Sequence, residues 1–147
     1  MTLPRPGHAD LAGIQKFGFD DIRNVLERSS ARETAMRVAL GSICRKLLEE
    51  TGINVGSRVV QIHDVVDKTP PAVGMTPSKI NEIADASPVR CLESNVSDAM
   101  VKVIDKAKEA GDSVGGLFEV IACGLPYGLG AYTQWDRKLH ARISALM

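Results

Sequence analysis

Residues 30–52 read SARETAMRVALGSICRKLLEETG. Ser30 followed three residues later by Glu33 is the spacing of a capping box, in which hydroxyl and carboxylate each satisfy an orphan amide at a helix start. Ala35, Val38, Ala39, Leu40, Ile43, Leu47 and Leu48 then trace one broad apolar face, and Gly52 supplies a C-terminal stop. The pattern predicts a helix of about twenty residues. Its many alanines suit close packing, which places it in the middle of a layer.

Working outward toward the N-terminus, DDIRNVLERS sets Ile22, Val25 and Leu26 at helical spacing, with Asp20 as N-cap and an end near Arg28. Residues 1–19 hold two prolines and three glycines without a sustained period, and read as a structured loop or a short turn of helix. Toward the C-terminus, INVGSRVVQIHDVV (53–66) is rich in β-branched residues and reads as strand. A loop over 67–75 follows, and Thr76-Pro77 opens a short helix to about Ala84, with Thr at N-cap and Pro at N1. SPVRCLE (87–93) is a loop. Residues 97–110 form an amphipathic helix built on Met100, Val103, Ile104 and Ala107, ended by Gly111. GGLFEVIACGL (115–125) is a second strand region, GLPYGLGAYTQWDRKL (124–139) a glycine-rich loop, and RKLHARISALM (137–147) begins another helix. Helices mixed with β segments, without strict βαβ alternation, predict an α+β fold in one domain over residues 1–147. Both ends fall inside patterns rather than at caps, so flanking sequence is expected on each side.

The bulk properties exclude several classes. Eighteen basic residues balance eighteen acidic ones, so no global field draws in nucleic acid or an anionic membrane. Cys44, Cys91 and Cys123 are odd in number, far apart and without CxxC spacing, which argues against a disulfide framework or a zinc site. No stretch approaches the ~20 apolar residues of a membrane span, and MTLPRPGHAD is no signal peptide. A cytoplasmic protein without membrane or nucleic-acid partners is expected.

Three clusters could carry chemistry. In ERSSARET (27–34), two serine hydroxyls and two arginines, Arg28 and Arg32, surround a helix start. Helix N-termini present free amides to anions, and arginine forks match phosphate and carboxylate oxygens. The plainer account, that Ser30 and Glu33 only cap while the arginines are solvated, stands beside it. In RPGHAD (5–10), Pro6-Gly7 fixes a turn and sets His8 two positions before Asp10. A histidine there can shuttle protons or donate to an anion, or merely bond to nearby backbone. In QWDRK (134–138), the single tryptophan reads best as the anchor of a surface loop. His63 and His140 lack partners at metal-ligand spacing, so no metal site is expected. GLPYGLG lacks the pattern of a phosphate-binding loop.

RPGHAD, RSSARETA, SPVRCLE, GDSVGGLFEVIACGLPYGLG and QWDRKL, in this order and spacing, resemble the signatures of chorismate synthases. The resemblance runs over essentially the whole chain. It implies 1,4-elimination of phosphate from 5-enolpyruvylshikimate 3-phosphate to give chorismate, in the shikimate pathway. It also implies reduced FMN that lends an electron as phosphate leaves, a sandwich of antiparallel sheets enclosing helices, and a homotetramer. Carried over by motif, His8 resembles the histidine that manages flavin protonation. Arg5 and Arg32 resemble arginines facing the substrate, and Arg28, Ser29 and Ser30 resemble the stretch touching FMN.

The departures are equally specific. Family chains are more than twice as long, and a Gly-Glu-Ser-His segment and a C-terminal flavin loop have no counterpart here. His140 stands where many relatives carry an acid, and His63 and Asp64 where many carry glycine. The expectation is a central portion of the enzyme that is inactive alone. A non-catalytic flavin- or anion-binding paralogue and an oligomerisation module are the alternatives.

Overall fold

A computed structural model describes residues 3–147. The chain divides into two compact units, one running to Leu47 and the other from Leu48 onward.

The first unit is helical: α1 (Asp10–Phe17), α2 (Arg23–Leu26) and α3 (Glu33–Glu50), whose last turn enters the second unit. The stretch expected to be loop or a single turn is thus an eight-residue helix, closed by Gly18 in the left-handed region at φ 65°. α1 and α2 touch through Gly13. A Cβ there would lie 2.4 Å from Cγ1 of Val25, so only glycine lets the two helices approach this closely around buried Ile22 and Val25. Asp20 is not the cap of the next helix. The Asp21 carboxylate accepts from the Arg23 amide at 3.0 Å, and α2 is one turn long.

α3 is the long helix the 30–52 pattern predicts, yet none of its residues is buried. Met36, Leu40, Ile43 and Leu47 are 64–72% exposed. Burying one such side chain contributes about 1.5–3 kcal/mol. The expectation of close packing therefore fails within this chain, for want of anything among the described residues to cover the apolar face.

The second unit holds β1 (Asn54–Ile62), β2 (Val65–Val66) and β3 (Gly116–Cys123) in an antiparallel sheet of order β2-β1-β3. The run read as one strand over 53–66 is a hairpin, because His63 enters the left-handed region at φ 54° and reverses the chain. The register slips between Val59 and Gln61, so Val60 bulges and its carbonyl accepts the Asp67 amide at 2.8 Å.

α4 (Pro77–Asp85) is capped by Thr76, as the Thr-Pro pair predicts, and α5 (Ser94–Ala110) starts three residues before its expected position. The core is Ile80, Ala84, Cys91 and Met100. α4 presses so closely on β1 that a Cβ at Gly56 would sit 2.5 Å from the Pro77 carbonyl oxygen. The 3₁₀ turn Trp135–Arg137 and α6 (Leu139–Leu146) follow β3. Trp135 is 76% exposed, so it does not anchor its loop as expected. Helices with an antiparallel sheet make the fold α+β.

One edge of β1 is sealed without a full neighbouring strand. Asn81 of α4 donates its amide to the Val55 carbonyl at 3.0 Å and accepts from the Ser57 amide at 3.1 Å. Next along the edge, Arg90 Nη2 donates to the Ser57 carbonyl at 2.9 Å, and the Arg90 carbonyl accepts from the Val59 amide at 2.9 Å. β2 pairs with Gln61 and Ile62. The SPVRCLE motif therefore serves the sheet: Arg90, at φ 58°, is an edge seal.

Candidate functional site

The RPGHAD turn folds back on the first residue of α1. Asp10, fully buried, accepts from the Arg5 backbone amide at 3.0 Å, from Arg5 Nε at 2.8 Å and from Arg5 Nη2 at 2.8 Å. A two-point guanidinium–carboxylate fork with a backbone donor is the strongest form of such a pair. It holds the Asp10 carboxyl far below the usual carboxylate range and raises the Arg5 guanidinium. His8 completes the group, with Nδ1 3.1 Å from Arg5 Nη2 and 3.3 Å from Asp10 Oδ1. The histidine expected to be a proton shuttle or a plain loop residue is thus fixed by two side chains. Arg5, expected to face substrate, spends Nε and Nη2 on Asp10.

The ERSSARET stretch departs from its expected arrangement. α3 begins at Glu33 rather than near Ala31. Ser30 Oγ accepts from the Arg32 amide at 3.2 Å, and the Ser30 carbonyl accepts from the Glu33 amide at 3.1 Å. The Ala35 amide bonds to the Arg32 carbonyl at 3.0 Å. Glu33 turns forward to Arg37, 3.6 Å away, instead of back to close a capping box. The amides that a bare helix terminus offers an anion are largely taken here. Ser29 donates its hydroxyl to the Val25 carbonyl at 2.9 Å, which leaves it only acceptor capacity.

Positive charge at this place comes from side chains. Arg28 and Arg32 are exposed, and neither has an ion pair among the described residues. They line a groove of about 1170 Å³ with Ser30, Glu27 and Glu33. A second groove, of about 710 Å³, runs between α1 and α2, with Ala9, Phe17, Phe19, Arg28 and Ser29 in its wall. The structure thus brings Arg5 to His8. It sets Arg28 where both grooves meet it, and places Ala9, the neighbour of His8, in the wall of one of them. Two unpaired guanidinium groups and the Ser30 hydroxyl form a donor set that suits a phosphate or carboxylate.

The second unit contains a polar cluster with no signal in the sequence. Buried Arg58 donates from Nε to Glu119 Oε2 at 2.8 Å, and from Nη1 to the Thr69 carbonyl at 2.7 Å and to Asp67 Oδ2 at 3.3 Å. Asp67 also accepts from the Thr69 amide and from the Cys91 thiol at 3.5 Å. Burial pushes the Cys91 thiol up, so it is a structural rather than a reactive cysteine. His63 lies 2.8 Å from Asp64 on the hairpin turn, and its proximity holds the Asp64 carboxyl down. Among the described residues no group of three His, Cys, Asp or Glu could hold a metal ion.

Comparison with known proteins gives one answer over the full length. The profile of the family described as chorismate synthase matches residues 1–147. The chain is 52% identical over 148 residues to chorismate synthase of Streptomyces coelicolor, which takes in all of this chain and 37% of the relative. It is 53% identical over 150 residues to that of Alkaliphilus metalliredigens, with 38% of the relative covered. A crystal structure of chorismate synthase superposes with a TM-score of 0.77 at 43% identity, over 92% of this chain and 42% of the other. The chain therefore spans well under half the length of the relatives it matches.

Proposed function

Because the chain belongs to the chorismate synthase family along its whole length, we propose that it forms the central portion of an enzyme that converts 5-enolpyruvylshikimate 3-phosphate to chorismate by 1,4-elimination of phosphate. On this reading residues 1–147 are part of one layered sandwich domain, and the protein works in the cytoplasm as a homo-oligomer. The exposed apolar face of α3 and the uncovered β3 support a requirement for more chain around these units. Three cysteines outside any disulfide suit a reducing compartment.

The observation that carries the reading is the Arg5–His8–Asp10 group, built in the same unit as the unpaired Arg28 and Arg32. The substrate bears a phosphate and carboxylates, and it loses phosphate and a proton. A site for it needs fixed positive charge and a group that holds a proton. Arg32 meets the substrate with its whole guanidinium. Arg5, clamped through Nε and Nη2, offers charge and Nη1 in a fixed direction. His8 holds or moves a proton at Nε2, the ring nitrogen away from Asp10. Arg28 and Ser30 fit the anionic part of FMN, while Ser29 contributes as an acceptor only. Reduced FMN, when bound, supplies the electron that eases departure of phosphate. Alone, the chain turns nothing over, since the flanking segments that complete the site lie outside it.

A chimaera tests the assignment. These 147 residues replace the matching segment of the Streptomyces coelicolor enzyme, and chorismate absorbance is followed anaerobically with reduced FMN. Turnover by the chimaera, lowered on the order of 10²–10⁴-fold by His8→Ala, is the expected result. A folded chimaera without turnover overturns the proposal. Turnover by the isolated chain overturns its stated inactivity.

A further inference from the structure

We propose that Asp10 is the positioning residue for His8, fixing which ring nitrogen carries the proton and giving the protonated ring a partner already in place. The inference builds on the reading of His8 as the proton-handling group, though the geometry behind it is independent of that reading. Asp10 Oδ1, Arg5 Nη2 and His8 Nδ1 form a triangle with sides of 2.8, 3.1 and 3.3 Å. Arginine has only donors, so its contact with Nδ1 is a hydrogen bond only when Nδ1 presents its lone pair. In the neutral ring the proton therefore sits on Nε2. Adding a proton at Nδ1 ends the bond from Arg5 and creates a donor that needs an acceptor, and Asp10 Oδ1 stands at 3.3 Å. Arg5 loses little in the exchange, because Nε and Nη2 stay on the two carboxylate oxygens.

The carboxylate acts in two ways. It holds Arg5 where the guanidinium can select the tautomer, and it receives the imidazolium once formed. The protonated ring, held at Nδ1 by Asp10, can then give up its Nε2 proton to a ligand. Nε2 has no protein partner among the described residues and remains for the ligand. Asp10 itself is fully buried, with both carboxylate oxygens on Arg5, which makes it a positioning rather than a catalytic residue.

Long-range ¹H–¹⁵N correlation spectra of the ¹⁵N-histidine-labelled chain read the tautomer directly. At a pH where the ring is neutral, wild-type His8 should show an unprotonated Nδ1 and a protonated Nε2. Asp10→Asn keeps the shape but removes the charge that clamps Arg5, and should move both nitrogens toward averaged positions while His63 and His140 stay unchanged. Should Asp10→Asn fail to fold, Arg5→Lys removes Nη2 from an exposed side chain and should give the same averaging. A mixed tautomer in the wild type overturns the proposal, and so does a His8 pattern unaltered in a folded variant. Titration with inorganic phosphate separates this from the functional reading. If phosphate leaves the amides of residues 28–33 and the His8 ring unmoved, anion binding at this site fails while the tautomer result stands.

Discussion

The two units are held together in opposite ways. In the first, the bonds that shape the candidate site are local: Arg5 to Asp10 spans five residues, Ser29 to Val25 four, and Arg32 to Ser30 two. In the second, the organising bonds are remote: Arg58 to Glu119 spans 61 residues, Arg90 to Ser57 33, and Asn81 to Val55 26. Local bonds form with little loop-closure entropy to overcome, so the RPGHAD turn keeps its geometry with little help. Remote bonds need the whole unit folded. The chemistry thus sits in the region that depends least on distant sequence, while the region that folds on a real core carries none of the proposed site residues.

The largest test of that contrast is Arg58→Ala. It leaves Asp67 buried without its cation, a change that costs about 3–5 kcal/mol. Urea unfolding followed by amide signals should show the sheet of the second unit weakened by that amount, while the signals of Gly13 and Val25 hold. Concerted loss of both sets would mean that the units do not keep separate stabilities.

Acid should act the other way, on the first unit. Asp10 has its folded pKa depressed by Arg5, so its contribution is present above the unfolded value of ~4. That contribution falls away as pH drops through and below this value toward the folded one. Amide exchange in α1 should therefore quicken below about pH 4, and Asp10→Asn should abolish that dependence. An α1 whose exchange ignores acid would remove Asp10 from the account of the unit.

His63→Gly should have the smallest effect. It relieves a left-handed residue, worth about 1–2 kcal/mol. Against this stand the greater unfolded-state freedom of glycine, about 0.4–1 kcal/mol, and an exposed pair with Asp64 worth about 0–1 kcal/mol. A net change within ~1 kcal/mol in thermal unfolding is expected. A large loss would show that the pair, and not the turn, shapes the hairpin.

The same contrast explains what could be read from the sequence. Periodicity over 30–52 identified α3, and the Thr-Pro pair located α4, because both signals lie within a few turns. The hairpin was hidden because His63 and Asp64 interrupt an apolar run without the glycine that usually marks a turn. The Arg5, His8 and Asp10 group was legible as a motif within six residues, yet the commitment of Arg5 to Asp10 was not, since sequence shows which charges are near but not which way they point. Nothing in a linear reading joins Arg58 to Glu119. The exposure of α3 was equally out of reach: its pattern says that something must cover it, not whether the cover lies within the same chain.

The sealed edge of β1 gives the sheet a direction of growth. With Asn81, Arg90 and β2 occupying the free margin of β1, the long margin left for an incoming strand, from more of the same polypeptide or from another molecule, is that of β3, since β2 is only two residues long and β3 bears no outer strand among the described residues. Assembly of a larger sheet on this piece is therefore a one-way process, like tiles laid from a wall. A substitution at Asn81 would leave the Val55 carbonyl and the Ser57 amide without that partner and so thin the seal, with Arg90 and β2 still holding the rest of the margin.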